Sequence, residues 1–354
     1  MSLRTNFAQL DGLRAVAAMS VFTHHIFQQY YDSSSTDALS SLFRHLGAWG
    51  VAVFFALSGF CIHWASLLQK ERNGNFSQRE YFCRRFLRIY PAFSACLILC
   101  LALGQLRTSN LLPQSLPQAI AMHFFLLSSF FPSFRVGVNN VLWSVVLEVQ
   151  FYILYGLFWK NFIELRGVII STVFATILSA ATFLASVTIL APGDERVMLQ
   201  HTFLATFWAW CLGAIVAQVV KGQLNASARY SYATLNILIW GSSLAICLFP
   251  SGISLQLERF VLPFLVALGL YFMVAGKGGI LVSEPFQWLG RSSYSLYLFH
   301  PVALWVVLEF PVPTTAKVIL TFCFGLLLAP ISYRLFERPF MKVHVRMQSS
   351  KFFS

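Results

Sequence analysis

The sequence predicts an all-α protein, a polytopic membrane bundle of about ten transmembrane helices with both termini in the cytoplasm. Of its 354 residues, 57% are hydrophobic and 11% are charged, whereas soluble domains carry about 25% charged residues. No polar stretch is long enough to form a separate soluble domain. We therefore expect a single membrane domain over residues 1–354, with a short basic cytoplasmic tail at 336–354.

The predicted spans are apolar runs of bilayer length, about 17–25 residues each. They fall at 12–30, 46–69, 89–105, 141–160, 168–190, 202–220, 231–249, 258–276, 292–310 and 316–335. An eleventh candidate, 118–133, is short and bounded by prolines, so we expect an interfacial or re-entrant segment, with a further span as the open alternative. The first run lacks a small-residue cleavage site, so we expect no cleavable signal peptide.

The distribution of basic residues predicts the orientation. The connection 70–88 carries six Lys and Arg against two Glu, which places it in the cytoplasm. If 118–133 does not span, 19 of the 25 Lys and Arg lie on the cytoplasmic side. The net charge of +12 then reflects the orientation of the spans in the membrane. We expect membrane lipids as partners and no nucleic acid.

The first span carries ionisable residues that hydrocarbon disfavours. On a helix, the eleven residue steps from Arg14 to His25 turn about 1100°, so both side chains share one face, while His24 points about 100° away. Such residues normally face a protein interior and mark a functional site. The alternative is that Asp11 and Arg14 are interfacial partners and that the histidines bond to neighbouring helices.

A second intramembrane charge, Glu148, lies in the run LWSVVLEVQFYILY. Ser144 and Tyr152, one turn away on either side, share its face, and Trp143 precedes them. By helical rise, Glu148 lies about 10 Å and His25 about 7.5 Å from the outer end of their spans. We expect Glu148 to orient His25 and to fix its tautomer; a purely structural pair is the alternative.

Three arginines, Arg84, Arg85 and Arg88, stand at the cytoplasmic mouth of the third span in CRRFLRIYP. A guanidinium offers paired donors in a rigid fork that suits phosphate. We expect a phosphate-binding cluster, although orientation of the span could explain some of these charges.

Other polar or small residues within the spans are weaker candidates. Ser58 and Gly59 form a small-residue notch that favours helix packing over ligand binding, and His63 follows one turn later. Tyr297 and His300 lie along GRSSYSLYLFHP, and Arg338 closes the last span as either a basic surface residue or an anchor. The seven cysteines form no CxxC pair, so we expect neither a disulfide nor a metal site.

Taken together, these motifs resemble the acyltransferase-3 family of bacterial integral membrane acyltransferases. The resemblance covers Leu10 to Pro339 and is carried by an ordered set: Arg14 and His25, FFALSGF, RRFLRIYP, LWSVVLEVQFY, GRSSYSLYLFHP and YRLFERPF. Many members write the motif LWSVVLEVQFY with the pattern WSLxxE; this chain has Val145 and Val146 there, and Trp143, Ser144 and Glu148 are present.

The resemblance implies a ten-span enzyme of the bacterial inner membrane. It would move an acyl group, commonly acetyl from acetyl-CoA, onto a hydroxyl of a cell-surface carbohydrate such as O-antigen of lipopolysaccharide or exopolysaccharide. The family's essential arginine and histidine fall on Arg14 and His25. We expect His25 to be the catalytic base, with a role as transient acyl carrier as the open alternative. The donor, acyl-CoA, is a substrate, and no tightly bound cofactor is expected.

Two alternatives stay open at this point. Intramembrane His, Glu and Arg also serve transporters, so the chain could be a transporter or an exporter of acyl groups that has no transferase chemistry of its own. Its oligomeric state is undetermined, with a homodimer as one option. Some relatives carry a C-terminal esterase-like domain; this sequence ends at Ser354, and we expect it to act alone or with a separate partner.

Overall fold

The computed structural model describes residues 7–31, 37–106, 116–135, 138–223, 232–249, 251–276 and 279–342. These residues form α-helices and short 3₁₀ turns, and no β-strand occurs among them. The α-helices are α1 Ala8–Tyr30, α2 Ala38–Asn73, α3 Gln78–Leu106, α4 Leu116–Phe124, α5 Pro132–Arg135, α6 Leu142–Leu157, α7 Leu165–Ile189, α8 Asp194–Gln200, α9 Phe203–Gln223, α10 Ala233–Ala245, α11 Ser251–Phe260, α12 Leu262–Ala275, α13 Glu284–Arg291, α14 Ser293–Leu308 and α15 Thr314–Ser332.

A helix occupies each of the ten segments that the sequence predicts to span the membrane. Within the described residues, five helical stretches are long and apolar enough to cross a bilayer. They are Ala38–Asn73, Gln78–Gly104, Leu165–Ile189, Asp194–Gln223 and Thr314–Lys342. Four shorter apolar helices and α1 occupy the other five segments. The chain is thus an all-α membrane protein.

The segment 118–133 contains no helix of bilayer length. Helix α4 has nine residues and rises only about 13.5 Å, well short of the roughly 30 Å hydrocarbon core. The backbone then turns at Leu126, which has a φ of 60°. Gln150 on α6 donates hydrogen bonds to the Leu126 carbonyl and to Ser129. This broken course fits the prediction that the segment is not a regular span, and its position in the bilayer stays a prediction.

Packing divides the chain into two compact units built from non-contiguous segments. The first unit comprises Met1–Leu67, Ala209–Tyr297 and Phe310–Thr321, and the second comprises Leu68–Trp208, Leu298–Glu309 and Phe322–Ser354. The expectation of one domain over residues 1–354 stays a prediction. The basic tail predicted at 336–354 is described only to Lys342, so most of it lies outside the described residues.

Glycines allow very close helix contacts in the first unit. A Cβ on Gly59 of α2 would lie 1.9 Å from the Trp210 carbonyl oxygen, and a Cβ on Gly213 of α9 would lie 2.0 Å from the Ala56 carbonyl oxygen. Each glycine therefore accommodates the backbone of the other helix, as small residues do in membrane bundles. This reciprocal contact fixes the crossing of α2 and α9.

The start of α1 is held in the same way. A Cβ on Gly12 would lie 2.2 Å from the Leu281 carbonyl oxygen, and one on Gly290 of α13 would lie 2.0 Å from the Asp11 carbonyl oxygen. The amide of Gln287 also donates to the Ala8 carbonyl at 2.6 Å. The first turns of α1, which carry Asp11 and Arg14, are therefore rigidly seated.

In the second unit, α3 packs closely on α6. Tyr81 of α3 is buried, and its hydroxyl donates to the Tyr152 carbonyl at 3.0 Å. A Cβ on Gly156 would lie 2.5 Å from the ring of Phe82. The last helix widens into a π-helical turn at Tyr333–Glu337, which is a common feature of functional or strained helix sites.

Candidate active site

In the first unit, Arg14 is an ion-paired residue. Its Nη1 donates to Asp11 Oδ1 at 2.7 Å, and its Nη2 donates to Cys61 Sγ at 3.1 Å. Both charged side chains are about one-third exposed, at 28% and 35%. The pairing of Asp11 with Arg14 is confirmed. Because Cys61 lies on α2, the guanidinium is held against a second helix as well.

His25 is held in a defined orientation by its own helix. Its Nδ1 lies 3.0 Å from the Val21 carbonyl oxygen. A carbonyl can only accept a hydrogen bond, so Nδ1 carries the proton and Nε2 carries the lone pair of the neutral imidazole. This is the tautomer that a general base needs at Nε2.

His24 has a different setting from that of His25. Its Nδ1 donates to the Phe43 carbonyl of α2 at 3.0 Å, and a Cβ on Gly47 would lie 2.6 Å from its ring. The two histidine rings meet edge to face, with centroids 4.9 Å apart. His24 is therefore packed against α2, in agreement with the prediction that it points away from the face of His25.

The notch at Ser58 and Gly59 lies in the crossing of α2 and α9. Trp210 Nε1 donates to the Ser58 hydroxyl at 3.2 Å, and His63 Nε2 donates to the Gln218 side-chain oxygen at 2.8 Å. These contacts support the packing interpretation of the notch. Binding of substrate by Ser58 stays a prediction.

In the second unit, Glu148 bonds to a residue on its own face of α6. The Tyr152 hydroxyl donates to Glu148 Oε1, as the four-residue spacing predicts. Ser144, on the same face, donates to the Val141 carbonyl at 3.1 Å. Trp143 packs edge to face on His201, with ring centroids 5.0 Å apart. The predicted pairing of Glu148 with His25 joins the two units and stays a prediction.

The three arginines of α3 have three different settings. Arg84 donates to Glu80 at 3.4 Å and to Gln69 at 2.9 Å. Arg88 lies 3.0 Å from Glu337. The guanidinium carbon of Arg85 lies 5.9 Å from the Tyr81 ring centroid and 5.8 Å from that of Tyr152.

Arg85 is thus distinct within the cluster. Among the described residues it has no carboxylate partner; its buried Nε, like that of Arg84, has no hydrogen-bond partner. Arg84 and Arg88, by contrast, are each neutralised by a glutamate. The Arg85 guanidinium lies within cation–π range of both tyrosine rings.

The remaining predicted site residues are less informative. Tyr297 is buried and packs edge to face on Phe54, with centroids 5.5 Å apart. His300 is fully buried in α14, next to Pro301. Arg338 is exposed after the π-helical turn. Substrate contacts by these three residues stay predictions.

Comparison with known families identifies the chain. The acyltransferase-3 model, described as an acyltransferase domain, matches residues 7–334. The chain belongs to the acyltransferase-3 family. The ordered motifs therefore predicted the family correctly, and they lie in a domain that fills nearly the whole sequence.

Several relatives of this acyltransferase-3 chain carry names that describe an activity. It is 26% identical to the peptidoglycan O-acetyltransferase OatA of Listeria monocytogenes, over 94% of this chain and 55% of that protein. It is also 26% identical to the putative peptidoglycan O-acetyltransferase YrhL of Bacillus subtilis, over 98% and 56%, and to the O-acetyltransferase OatA of Staphylococcus aureus, over 94% and 57%. The chain thus spans about half the length of these relatives. No solved structure matches it.

Some interactions of this acyltransferase-3 chain were missed by reasoning from the sequence. Glu337, within the YRLFERPF motif, is fully buried and pairs with Arg88. A second buried pair joins His45 of α2 to Glu258 of α11 at 2.7 Å. The partners lie more than 200 residues apart in each pair, so no local spacing could have indicated them. The pairing of Arg84 with Glu80, in contrast, follows the i, i+4 rule.

Among the described residues, no group of three or more His, Cys, Asp or Glu side chains is placed to hold a metal ion. Each of the seven cysteines is a free thiol. The chemical groups at hand are imidazole, carboxylate, phenol and guanidinium.

Proposed function

We propose that the chain is a membrane O-acetyltransferase that moves an acetyl group from cytoplasmic acetyl-CoA to a hydroxyl of a cell-surface glycan. The observation that carries this proposal is the contact of His25 Nδ1 with the Val21 carbonyl oxygen at 3.0 Å. Because a carbonyl only accepts, the neutral ring carries its proton on Nδ1, and Nε2 can accept one. Membership of the acyltransferase-3 family and the names of the relatives supply the reaction class.

In the proposed reaction, His25 acts as the general base. A sugar hydroxyl is too weak an acid to attack a thioester unaided, and imidazole can take its proton as the new bond forms. The hydroxyl oxygen bonds to the thioester carbon, the carbon–sulfur bond breaks, and the proton on Nε2 passes to the departing thiolate. The products are the acetyl ester and free CoA. Glu148 is the proposed orienting partner of His25.

The proposed role of Arg14 is structural or donor-positioning. Its charge is compensated by Asp11 and its far amino group donates to Cys61, so it fixes α1 to α2. A rigid α1 keeps His25 in register, and errors of about 1 Å in the position of a catalytic group can cost a hundredfold in rate.

The proposed donor site lies at the α3 arginines, with Arg85 as the main phosphate contact. Its guanidinium carbon lies 5.9 Å and 5.8 Å from the ring centroids of Tyr81 and Tyr152, and it has no carboxylate partner among the described residues. Arg84 and Arg88 add positive charge that Glu80 and Glu337 already partly offset. Guanidinium–phosphate bonds are the strong, paired kind.

We propose ten spans with both termini in the cytoplasm, so that the arginine cluster faces cytoplasmic acyl-CoA. A helix at each predicted segment supports the number of spans, and the distribution of basic residues supports the orientation. Single cysteines at positions 77, 192 and 349 of a cysteine-free variant test it. We expect position 192 to react with an impermeant reagent in intact cells. Labelling of position 77 or 349 from outside would overturn the orientation.

Glycan analysis tests the function as a whole. Mass spectrometry of muropeptides, lipopolysaccharide and exopolysaccharide from cells with and without the gene should show a difference of one acetyl group in one glycan. That glycan identifies the acceptor. Complementation with His25→Ala is the matched control, and it should not restore the acetyl group. Unchanged glycans of all three types would overturn the proposed acceptor class.

A further inference from the structure

The first unit contains a buried ionisable pair outside the proposed catalytic residues. His45 Nδ1 lies 2.7 Å from Glu258 Oε1, and the two side chains are only 7% and 8% exposed. A carboxylate accepts the Nδ1 proton, so the lone pair of neutral His45 lies on Nε2. Within the described part of the chain, that Nε2 is buried and has no hydrogen-bond partner.

This pair adjoins the two histidines of α1. Phe43, two residues before His45, accepts the Nδ1 proton of His24, and Gly47, two residues after His45, packs against the His24 ring. The His24 ring in turn meets the His25 ring at 4.9 Å. Neighbouring interactions therefore link Glu258 to His45, the α2 backbone on both sides of His45 to His24, and His24 to His25.

A purely structural role is the simpler explanation to consider. Ser41, His45 and Trp49 recur every four residues on one face of α2. Ser41 donates to the Phe249 carbonyl at 2.5 Å, and Trp49 Nε1 donates to the Ser243 hydroxyl at 3.0 Å. These two neutral bonds already attach α2 to the region of α10 and α11. A buried carboxylate between them is a costly way to add to that attachment.

We propose that Glu258 and His45 are positioning residues for the general base, holding His24 and through it the ring of His25. Glu258 fixes His45, and the turn around His45 holds His24 on both sides. His24 then limits the rotation of the neighbouring imidazole. This inference depends on the proposed function for its effect on turnover, but not for its effect on the histidine rings.

The first test measures the rings without any activity. We expect Glu258→Gln to shift the ¹⁵N resonances of the ring nitrogens of His24 and His25 in the purified protein, with assignments from His24→Gln and His25→Gln. Ser243→Ala is the matched control, because it removes a neutral bond on the same face of α2, and it should leave both resonances in place. Unshifted His24 and His25 signals in Glu258→Gln would overturn the inference, whatever reaction the protein catalyses.

The second test measures turnover. Glu258→Gln and His45→Gln should each lower kcat on the order of ten- to hundredfold with unchanged CoA affinity, and the double variant should be no worse than either single one. Ser243→Ala should keep kcat within about twofold of the parent. If Ser243→Ala and Glu258→Gln lost kcat equally, and each loss matched a fall in melting temperature, the role of His45 and Glu258 would be helix packing alone. A spectral shift without any detectable transferase activity would instead count against the proposed function alone.

Discussion

Arg88 of α3 lies 3.0 Å from Glu337, a carboxylate with no exposed surface on the π-helical turn Tyr333–Glu337. The Arg88 side chain is 31% exposed, so the arginine keeps part of its contact with the surroundings, whereas the glutamate keeps none. The same guanidinium donates to the Met341 sulfur at 2.9 Å. The pair thus fixes the last helix of the second unit to α3.

This asymmetry predicts unequal costs of removing each partner. Arg88→Ala leaves a fully buried carboxylate without this guanidinium, and breaking such a pair costs roughly 3–5 kcal/mol of unfolding free energy. Glu337→Gln keeps an oxygen acceptor for an arginine that is partly exposed, so we expect about 1 kcal/mol. Thermal or denaturant unfolding of the detergent-solubilised protein measures both.

A double variant is the control for this prediction. Arg88→Leu combined with Glu337→Leu removes both charges and should be more stable than Arg88→Ala, because no charge is left buried. If Arg88→Ala were as stable as the parent, Glu337 would not depend on this ion pair.

The crossing of α2 and α9 predicts a strong effect of adding one methyl group. A Cβ on Gly59 would lie 1.9 Å from the Trp210 carbonyl oxygen, and backbone cannot move away as a flexible side chain could. Gly59→Ala should therefore force the helices apart and destabilise the protein by about 1–3 kcal/mol. Unfolding midpoints measured as above would show it.

Gly222 of α9 supplies the matched control. A Cβ there would meet nothing within 4 Å, and alanine is the better helix former by about 0.5–1 kcal/mol. Gly222→Ala should thus be neutral or stabilising. Similar midpoints for Gly59→Ala and Gly222→Ala would show that the close crossing is not required.

The sequence predicted the helices because each needs an apolar run of bilayer length, and such runs are local. It was less accurate where the chain breaks a run. The predicted span 258–276 contains a helix boundary at Val261, and Pro263 stands at the start of α12, where its missing N–H and fixed φ suit a helix start. The lengths of the polar connections did not indicate α13, whose Gly290 packs closely against Asp11 of α1.

For the candidate site, local spacing predicted the contacts within a helix and missed those between helices. The pairs of Arg14 with Asp11 and of Glu148 with Tyr152 follow the three- and four-residue steps of a helix. Cys61 beside Arg14, Gln218 beside His63 and Glu258 beside His45 depend on which helices meet. Only tertiary packing fixes that.

Arg85 should contribute most of the three α3 arginines to binding of the acyl donor. A charge-assisted bond to phosphate contributes roughly 1.5–3 kcal/mol, so Arg85→Ala should weaken CoA binding about tenfold or more. Arg84→Ala and Arg88→Ala should weaken it less, since glutamates already offset those charges. Titration of CoA into the purified protein gives the three affinities.

Two further variants make the Arg85 result specific. Arg85→Lys keeps the charge but loses the paired donors and the flat face, so it should recover only part of the affinity. Arg79→Ala removes an exposed charge from the same helix and should have little effect. If the Arg85→Ala protein bound CoA no more weakly than Arg79→Ala, the arginine cluster would serve only to orient the third span in the membrane.

The last prediction concerns the identity of the base. Loss of a general base lowers rates by about 10² to 10⁴, so His25→Ala should abolish detectable acetyl transfer while expression and CoA binding stay near the parent values. His24→Ala should be milder, because His24 packs against α2 and acts only through its neighbour. His300 is the rival imidazole; it is fully buried in α14 and could contact the donor or the acceptor. Turnover of the three variants, measured side by side with labelled acetyl-CoA, separates these roles. If the His25→Ala enzyme were active and the His300→Ala enzyme inactive, His300 would be the general base. The hydrogen bond from His25 to the Val21 carbonyl would then have only a structural role in α1.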